Sequence, residues 1–434
     1  MKTASKEAAA LSVRQLFGIG NFWRLWLGQT ISDFGDGMTT LTLIMLVNHL
    51  TGSTAALALL MIVLAVPQVT LGLIAGVYVD RLDRRKVMLV SDSLRGLLVL
   101  GLVALGFLSE VWPLYLLAFL QAAIGTFFTP ARSALMASVL PEKGLLAANS
   151  FSQMSRMLSM VLGTGIAGVL VGVFNTYWVA FVVDAITFFL SCWLVSGVKA
   201  PIFKVEPKVE KVQKAAFKAI SGELIGGFKV IRDSRSLLGA LLASALTMLG
   251  LGAVNVLLVP LIINDLHVEA TWFGAIDLAQ TTSMIMCAAL LAFLTAHFKP
   301  NRLLGSGLIG LGVVTAAISQ ISDIWHLIVI LFLVGWLITP VQAATMTIMQ
   351  TGAANEVRGR VAATNNSVFA TSNLVSMGLA GALGDVIGVR NVFVVSGLMC
   401  LLGGFVAIWL VRNPAKQVTG KPVQPVISSV GERG

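Results

Sequence analysis

Gln29, Asp33, Asp36 and Thr40 recur at spacings of three and four within an otherwise apolar stretch, which puts them on one face of a helix. Counted from the start of that stretch near residue 22, Asp33 lies roughly 16 Å along the helix axis. An ionisable side chain at that depth in a spanning helix is costly and is a functional candidate by default. Two carboxylates one turn apart repel when both are charged, which suits the pair to taking up and giving back a proton. The alternative is that both face a solvated vestibule as ordinary charges. Asn149, Gln153 and Arg156, with Ser152 beside them, form a second polar face, and Arg156 is a candidate partner for a carboxylate across a helix bundle. Asp184, Asp277 (with Gln280 and Thr281), Asn255, Asn366 and Asn373 are further polar residues inside apolar runs. A single ion pair tying two helices together would account for Asp184, and interhelical hydrogen bonds for the asparagines. Asp92 and Arg95, one turn apart, read as a structural support near a helix end.

The elements that must hold these residues are membrane helices. The chain has 434 residues, 57% of them hydrophobic and 12% charged, against about 25% charged in soluble domains. Its apolar segments run for about 20 residues, the length that crosses about 30 Å of hydrocarbon, and they lack the alternation of barrel strands. Helices are predicted at about 22–47, 56–79, 87–108, 112–137, 147–172, 177–197, 237–263, 270–297, 302–320, 325–349, 361–384 and 391–412. The reading is an all-α membrane protein of about twelve spanning helices in two six-helix bundles.

Of the 30 Lys and Arg residues, all but Arg390, Arg95 and Arg156 fall on one side when the helices are threaded in order. Arg132 is counted among the loop cations of that side. Cationic loops mark the cytoplasm, so both termini are expected to be cytoplasmic. This asymmetry explains the net charge of +10 without nucleic acid. The expected divisions are a cytoplasmic segment 1–18, a first bundle 19–197, a cytoplasmic linker 198–236, a second bundle 237–412 and a disordered tail 413–434. The part of the linker near 215–232 reads as an amphipathic helix on the membrane surface. Segment 1–18 has no short apolar core with a cleavage site, so the first helix is expected to act as the targeting signal. The halves repeat: Gly125-Thr-Phe-Phe-Thr-Pro130 returns as Gly335-Trp-Leu-Ile-Thr-Pro340, and Gly165-Ile-Ala-Gly168 as Gly378-Leu-Ala-Gly381. Ala147-Ala148-Asn149-Ser150 returns weakly as Thr364-Asn365-Asn366-Ser367. A parallel repeat of six helices is a transporter architecture with its site between the halves.

The segment Gly76-Val-Tyr-Val-Asp80-Arg81-Leu-Asp83-Arg84-Arg85-Lys86, between the second and third predicted helices, resembles the loop signature of the major facilitator superfamily. Phe22-Trp23-Arg24-Leu25-Trp26-Leu27-Gly28-Gln29, Ser32-Asp33-Phe34-Gly35-Asp36 and Arg358-Gly359-Arg360-Val361 resemble its bacterial branch of drug, macrolide and siderophore exporters. The resemblance covers about residues 19–412. The second half has no such loop signature near Ala296–Arg302, and the glycines of the fifth helix, Gly163, Gly165, Gly168 and Gly172, lack the prolines of the antiporter pattern. In physical terms, Gly76 is expected to let its helix approach a neighbour closely. Asp80 is expected to meet the positive N-terminal end of the eleventh helix near Val361, locking the halves together, with Arg81, Arg84 and Arg85 pairing nearby. The bland alternative for the three arginines is that they only set topology.

No HExxH, P-loop or paired-cysteine motif occurs. Cys192, Cys287 and Cys400 sit singly in apolar runs, and the four histidines fall near helix ends. No cofactor, metal site, enzyme activity or nucleic-acid partner is expected, and the chain is expected to be a monomer. The 22 Phe and 16 Met suit an adaptable cavity as well as a lipid-facing surface. The expected function is secondary transport by alternating access, with the resemblance implying proton-coupled export of drugs, macrolide-like compounds or siderophores. A lysophospholipid or other lipid-like substrate, an uncoupled facilitator and a non-transporting sensor are the alternatives.

Overall fold

A computed structural model describes residues 13–79, 81–105, 110–199 and 224–411. After a short α1 (Val13–Phe17), six long helices follow: α2 (Gly20–Thr51), α3 (Thr54–Val79), α4 (Arg84–Leu105), α5 (Trp112–Val139), α6 (Glu142–Phe174) and α7 (Trp178–Ser196). A helix at 224–233, α8, precedes six more: α9 (Arg235–Pro260), α10 (Phe273–His297), α11 (Pro300–Ala317), α12 (Ile324–Gly352), α13 (Arg358–Ile387) and α14 (Val389–Leu410). The long helices pack as two bundles, α2–α7 and α9–α14. Eleven of them are long and apolar enough to cross a membrane by composition alone. The twelfth, α2, falls short because it carries the polar face described above.

Local chemistry sets several boundaries. Gly52 ends α2 in the left-handed region at φ 61°, its N–H donating to Asn48 O, the conformation for which glycine costs least. Asp323 caps α12 by accepting from Trp325 N at 2.8 Å, and Ser234 caps α9. Pro260 closes α9, which passes into a π turn at Leu261–Asp265. Side chains on the outer faces are apolar and exposed, as on Trp193 (69%) and Trp409 (71%), which is the arrangement a lipid surroundings requires.

One end of the molecule gathers Arg84, Arg85, Lys86, Lys143, Lys199, Arg235, Lys299, Arg302, Arg358 and Arg360 at helix ends; we call it the basic end. At the opposite, far end the bundles touch along α3–α13 and α6–α10. A Cβ added to Gly165 would press on the backbone of Gly274, and one on Gly168 on the carbonyl of Ala270. A Cβ on Gly381 would meet Ala58 and Thr54 of α3. Three of the four repeated glycines, Gly165, Gly168 and Gly381, therefore mark places where the bundles meet at backbone distance. Towards the basic end the same helices part: a Cβ on Gly72 or Gly76 of α3, or on Gly359 of α13, meets nothing within 4 Å. Gly76 thus does not make the close approach expected of it; in this conformation it faces open space.

The described part of the linker, α8, sits on α13. Gly227 packs on Arg360 and Thr364, and Thr364 Oγ1 donates to Leu224 O at 3.3 Å. Ile231 is buried, while Ile225 and Phe228 point outwards. The rest of the expected surface helix, Asp80, and the tail 413–434 lie outside the described residues.

Candidate functional site

Asp33 and Asp36 of α2 do share a cleft, and three arginines from three other helices converge on them. Arg132 of α5 donates through Nη1 to both oxygens of Asp33, at 3.0 and 3.4 Å. Arg156 of α6 approaches the same carboxylate, its Nε 3.7 Å from Oδ1. Arg95 of α4 pairs with Asp36 through Nη2. The Arg95 guanidinium also lies 4.0 Å from Asp92 and over the Phe188 ring, 4.3 Å from its centroid, with Phe128 at 5.7 Å. Two aromatic faces and two carboxylates are what a buried cation needs in place of water. Asp92 accepts from Ser191 Oγ at 2.7 Å. Asp184 of α7, fully buried, accepts from Thr39 Oγ1 of α2 and from Thr187 Oγ1 at 3.0 Å.

The ion-paired cluster holds three carboxylates, Asp33, Asp36 and Asp92, and three guanidiniums, Arg95, Arg132 and Arg156; Asp184 lies beside it, held by hydroxyls. Guanidiniums stay protonated in proteins, so the ion-paired charges balance three to three, and Asp184 adds a carboxylate with no ion pair among the described residues. The cluster borders a cleft of about 400 Å³ lined by Asp33, Asp36, Gln68, Gly72, Arg95 and Arg156 among others.

Glycines let these helices close around the charges. A Cβ on Gly35 would overlap the Asp184 carboxylate and Thr187 Oγ1, and one on Gly163 of α6 would overlap the carbonyl of Phe34. Gly35→Ala is therefore expected to push α7 off α2 and cost about 1–3 kcal/mol, the usual range for overpacking. Thermal unfolding in detergent checks this, and an unchanged midpoint would show that Asp184 is not held against α2.

Two sequence readings are corrected. Arg132, counted as a loop cation, is buried inside α5 and holds Asp33. Asp92 and Arg95, read as a structural support near a helix end, belong to the cluster through the Arg95–Asp36 pair. Neither contact can be read along a single helix, because the carboxylates that Arg95 and Arg132 meet are 59 and 99 residues away. Gln29 is buried on the same side of α2, and among the described residues neither atom of its amide has a partner. Gln153 is exposed. Asn255 is exposed on α9, and Asp277 lies on α10 beside Thr164 of α6, so both sit apart from the cluster in the second bundle. In the loop before α4, Arg81 N donates to Tyr78 O at 3.1 Å, Arg84 donates to Ala134 O at 3.3 Å and Arg85 to Ser196 O. These last two contacts tie the start of α4 to α5 and α7 of its own bundle. Among the described residues no group of three or more His, Cys, Asp and Glu is placed to hold a metal ion.

At the far end a carboxylate crosses between the bundles. Asp385 of α13 accepts from Thr54 N at 2.7 Å, Thr54 Oγ1 at 2.8 Å, Ser53 Oγ at 2.6 Å and Ala55 N at 3.2 Å. It is the N-cap of α3, supplied by the other half of the chain. Asn48 and Asn264 exchange amide hydrogen bonds at 3.1 and 3.2 Å beside it. The charge-to-helix contact expected of Asp80 at the basic end is thus made, with the roles of α3 and α13 exchanged, at the far end. The N-terminus of α13 follows Val357, which caps it with no side-chain hydrogen bond.

Comparison with known proteins bears on this arrangement. A family model described as transmembrane secretion effector matches residues 15–426. The chain is 27% identical over 403 residues to the multidrug efflux pump Tap of Mycolicibacterium fortuitum, covering 89% of this chain and 95% of that protein. It is 23% identical over 390 residues to macrolide efflux protein A of Streptococcus pyogenes, covering 88% and 93%. Among solved structures, a bacterial homologue of the iron transporter ferroportin in an inward-facing state superposes with a TM-score of 0.70 at 15% identity, covering 93% of this chain and all of that one.

Proposed function

Since the chain belongs to the transmembrane secretion effector family of major facilitator transporters, multi-pass proteins of the cell membrane, we propose that it exports small amphipathic molecules in exchange for protons. The observation that carries this reading is the ion-paired set of Asp33, Asp36, Arg95, Arg132 and Arg156 lining the cleft. In this reading the basic end is cytoplasmic, and the conformation described here is the one open to the cytoplasm.

The cycle runs as follows. With the far end shut by Asp385 and the Asn48–Asn264 pair, a substrate enters from the basic end. Closing the basic end and opening the far end lets the substrate leave on the outside and exposes Asp33 and Asp36 to outside protons. Protonation of Asp33 weakens its hold on Arg132 and Arg156, freeing α5 and α6 to shift against α2. The unpartnered amide of Gln29 and hydroxyl of Ser152 are groups that such a shift can pair, since a buried polar group without a partner costs about 1–3 kcal/mol. Return to the inward-open state releases the proton inside. The rigid-body rocking this needs has its contact lines at α3–α13 and α6–α10.

The names of the relatives support drugs and macrolide-like compounds as the substrate class, with siderophores as a further candidate. The test is accumulation in cells. Cells expressing the protein should hold several-fold less of an amphipathic fluorescent drug than cells expressing Asp33→Asn, and a protonophore should erase the difference. Equal accumulation in both, for drugs, macrolides and siderophores alike, would overturn the export reading.

A further inference from the structure

The internal repeat pairs each half of the chain with the other, and the charged cleft has a counterpart. Gly125-x-x-x-Thr129-Pro130-x-Arg132 of α5 corresponds to Gly335-x-x-x-Thr339-Pro340-x-Gln342 of α12. Arg132, the residue that holds Asp33, therefore falls opposite Gln342. In the structure each of these stretches lines a cavity of its own bundle. The first is the charged cleft. The second, about 230 Å³, lies between α9, α12 and α13, with one residue from α11. Where α2 gives the first cleft two aspartates, α9 gives the second Ser244, Thr247 and Met248. Where α6 gives Arg156, α13 gives Asn365, Asn366 and Phe369. No residue lining the second cavity is ionisable.

We propose that this second cavity is the recognition pocket for an uncharged, hydrogen-bonding part of an amphipathic organic molecule. Three observations converge. Its walls mix amides and hydroxyls with Phe369, Met248 and Met346, the polarisable side chains that adapt to varied apolar shapes. The carbonyl oxygen of the Asn365 amide is buried with no partner among the described residues, so a donor on a ligand would satisfy it. Thr247 and Thr345 donate to Ala243 O and Val341 O, which leaves their oxygens as acceptors. At 230 Å³ the cavity is smaller than the roughly 300–1,000 Å³ of a complete drug site. It therefore takes one moiety, and the remainder of the ligand extends past the exposed Gln342 and Phe369. Duplication has produced two clefts with separate tasks: the charged copy handles protons and the neutral copy reads the substrate.

This inference rests on the export reading, and equilibrium binding separates the two. Chloramphenicol, uncharged and bearing amide and hydroxyl groups, is the probe. Its binding to the purified full-length protein in detergent is measured by calorimetry. Gln342→Leu and Asn366→Leu are each expected to weaken binding about tenfold or more. Asp33→Asn is expected to keep affinity within about threefold while losing proton-driven export. A site-specific check guards against misfolded variants: in a background without native cysteines, chloramphenicol should slow alkylation of Asn366→Cys by N-ethylmaleimide. No binding by the wild type, equal binding by both pocket variants, no protection at position 366, or an Asp33→Asn loss as large as theirs would each overturn the proposal. Wild-type binding sensitive to the pocket but without proton movement would leave the pocket standing and remove the coupling.

Discussion

Replacing Asp33 by Asn is expected to lower proton-driven export on the order of a hundredfold or more, the scale on which a positioned proton-transfer group matters. The substitution keeps the shape of the side chain and removes the group that Arg132 and Arg156 hold. Its counterpart, Arg132→Met, removes the cation and leaves Asp33 buried against a weaker partner, Arg156, which is 43% exposed. Breaking one side of a buried ion pair typically costs about 3–5 kcal/mol, so Arg132→Met should also lower the thermal midpoint. The double variant Asp33→Asn/Arg132→Met should recover much of that stability and none of the transport. This pattern separates a proton carrier from a structural ion pair. Drug export by Asp33→Asn at the wild-type rate and at equal expression would assign Asp33 to architecture alone.

The second large effect is expected at the far end. Asp385→Ala removes the N-cap of α3. An N-cap is worth about 0.5–2 kcal/mol, and the charge facing the helix dipole adds a part that salt screens at an exposed site. A loss of 1–2 kcal/mol shifts a two-state equilibrium roughly five- to thirtyfold away from the conformation shut at the far end. Spin labels at the exposed positions Val173 and Val386, one on each bundle at that end, should report a longer distance population in Asp385→Ala than in the parent. Thr54→Val, which removes one of the bonds to Asp385 and keeps the backbone donor, should give a smaller shift. Identical distance distributions in all three proteins would show that this contact does not hold the far end shut.

Much of the architecture is legible in the chain because membrane helices announce themselves locally. Apolar runs of the length of Trp178–Ser196 or Val389–Leu410 have no other use, and the repeated Gly165/Gly168 and Gly378/Gly381 already mark positions where backbones must come close. Asp33 and Asp36 stand out for the same local reason, as charges in an apolar helix. Their partners do not. Arg132 lies within two turns of the end of α5, where a cation is most often a topology signal, and only the fold reveals that it turns inwards to α2. Asp385 is harder still. It lies two residues from the end of α13, and its role is set by Ser53 and Thr54, some 330 residues earlier. The loop signature points to a helix-end contact for Asp80, which lies outside the described residues; a corresponding contact, of Asp385 with α3, is seen at the far end.

The central claim is that substrate export is coupled to proton movement at Asp33, and reconstitution into liposomes tests it most directly. With an inside-acidic pH gradient imposed, lumenal pH is followed as drugs and siderophores are added. The account predicts substrate-driven proton efflux by the wild type and none by Asp33→Asn. Substrate flux by the wild type with no accompanying proton movement would contradict it and leave an uncoupled facilitator.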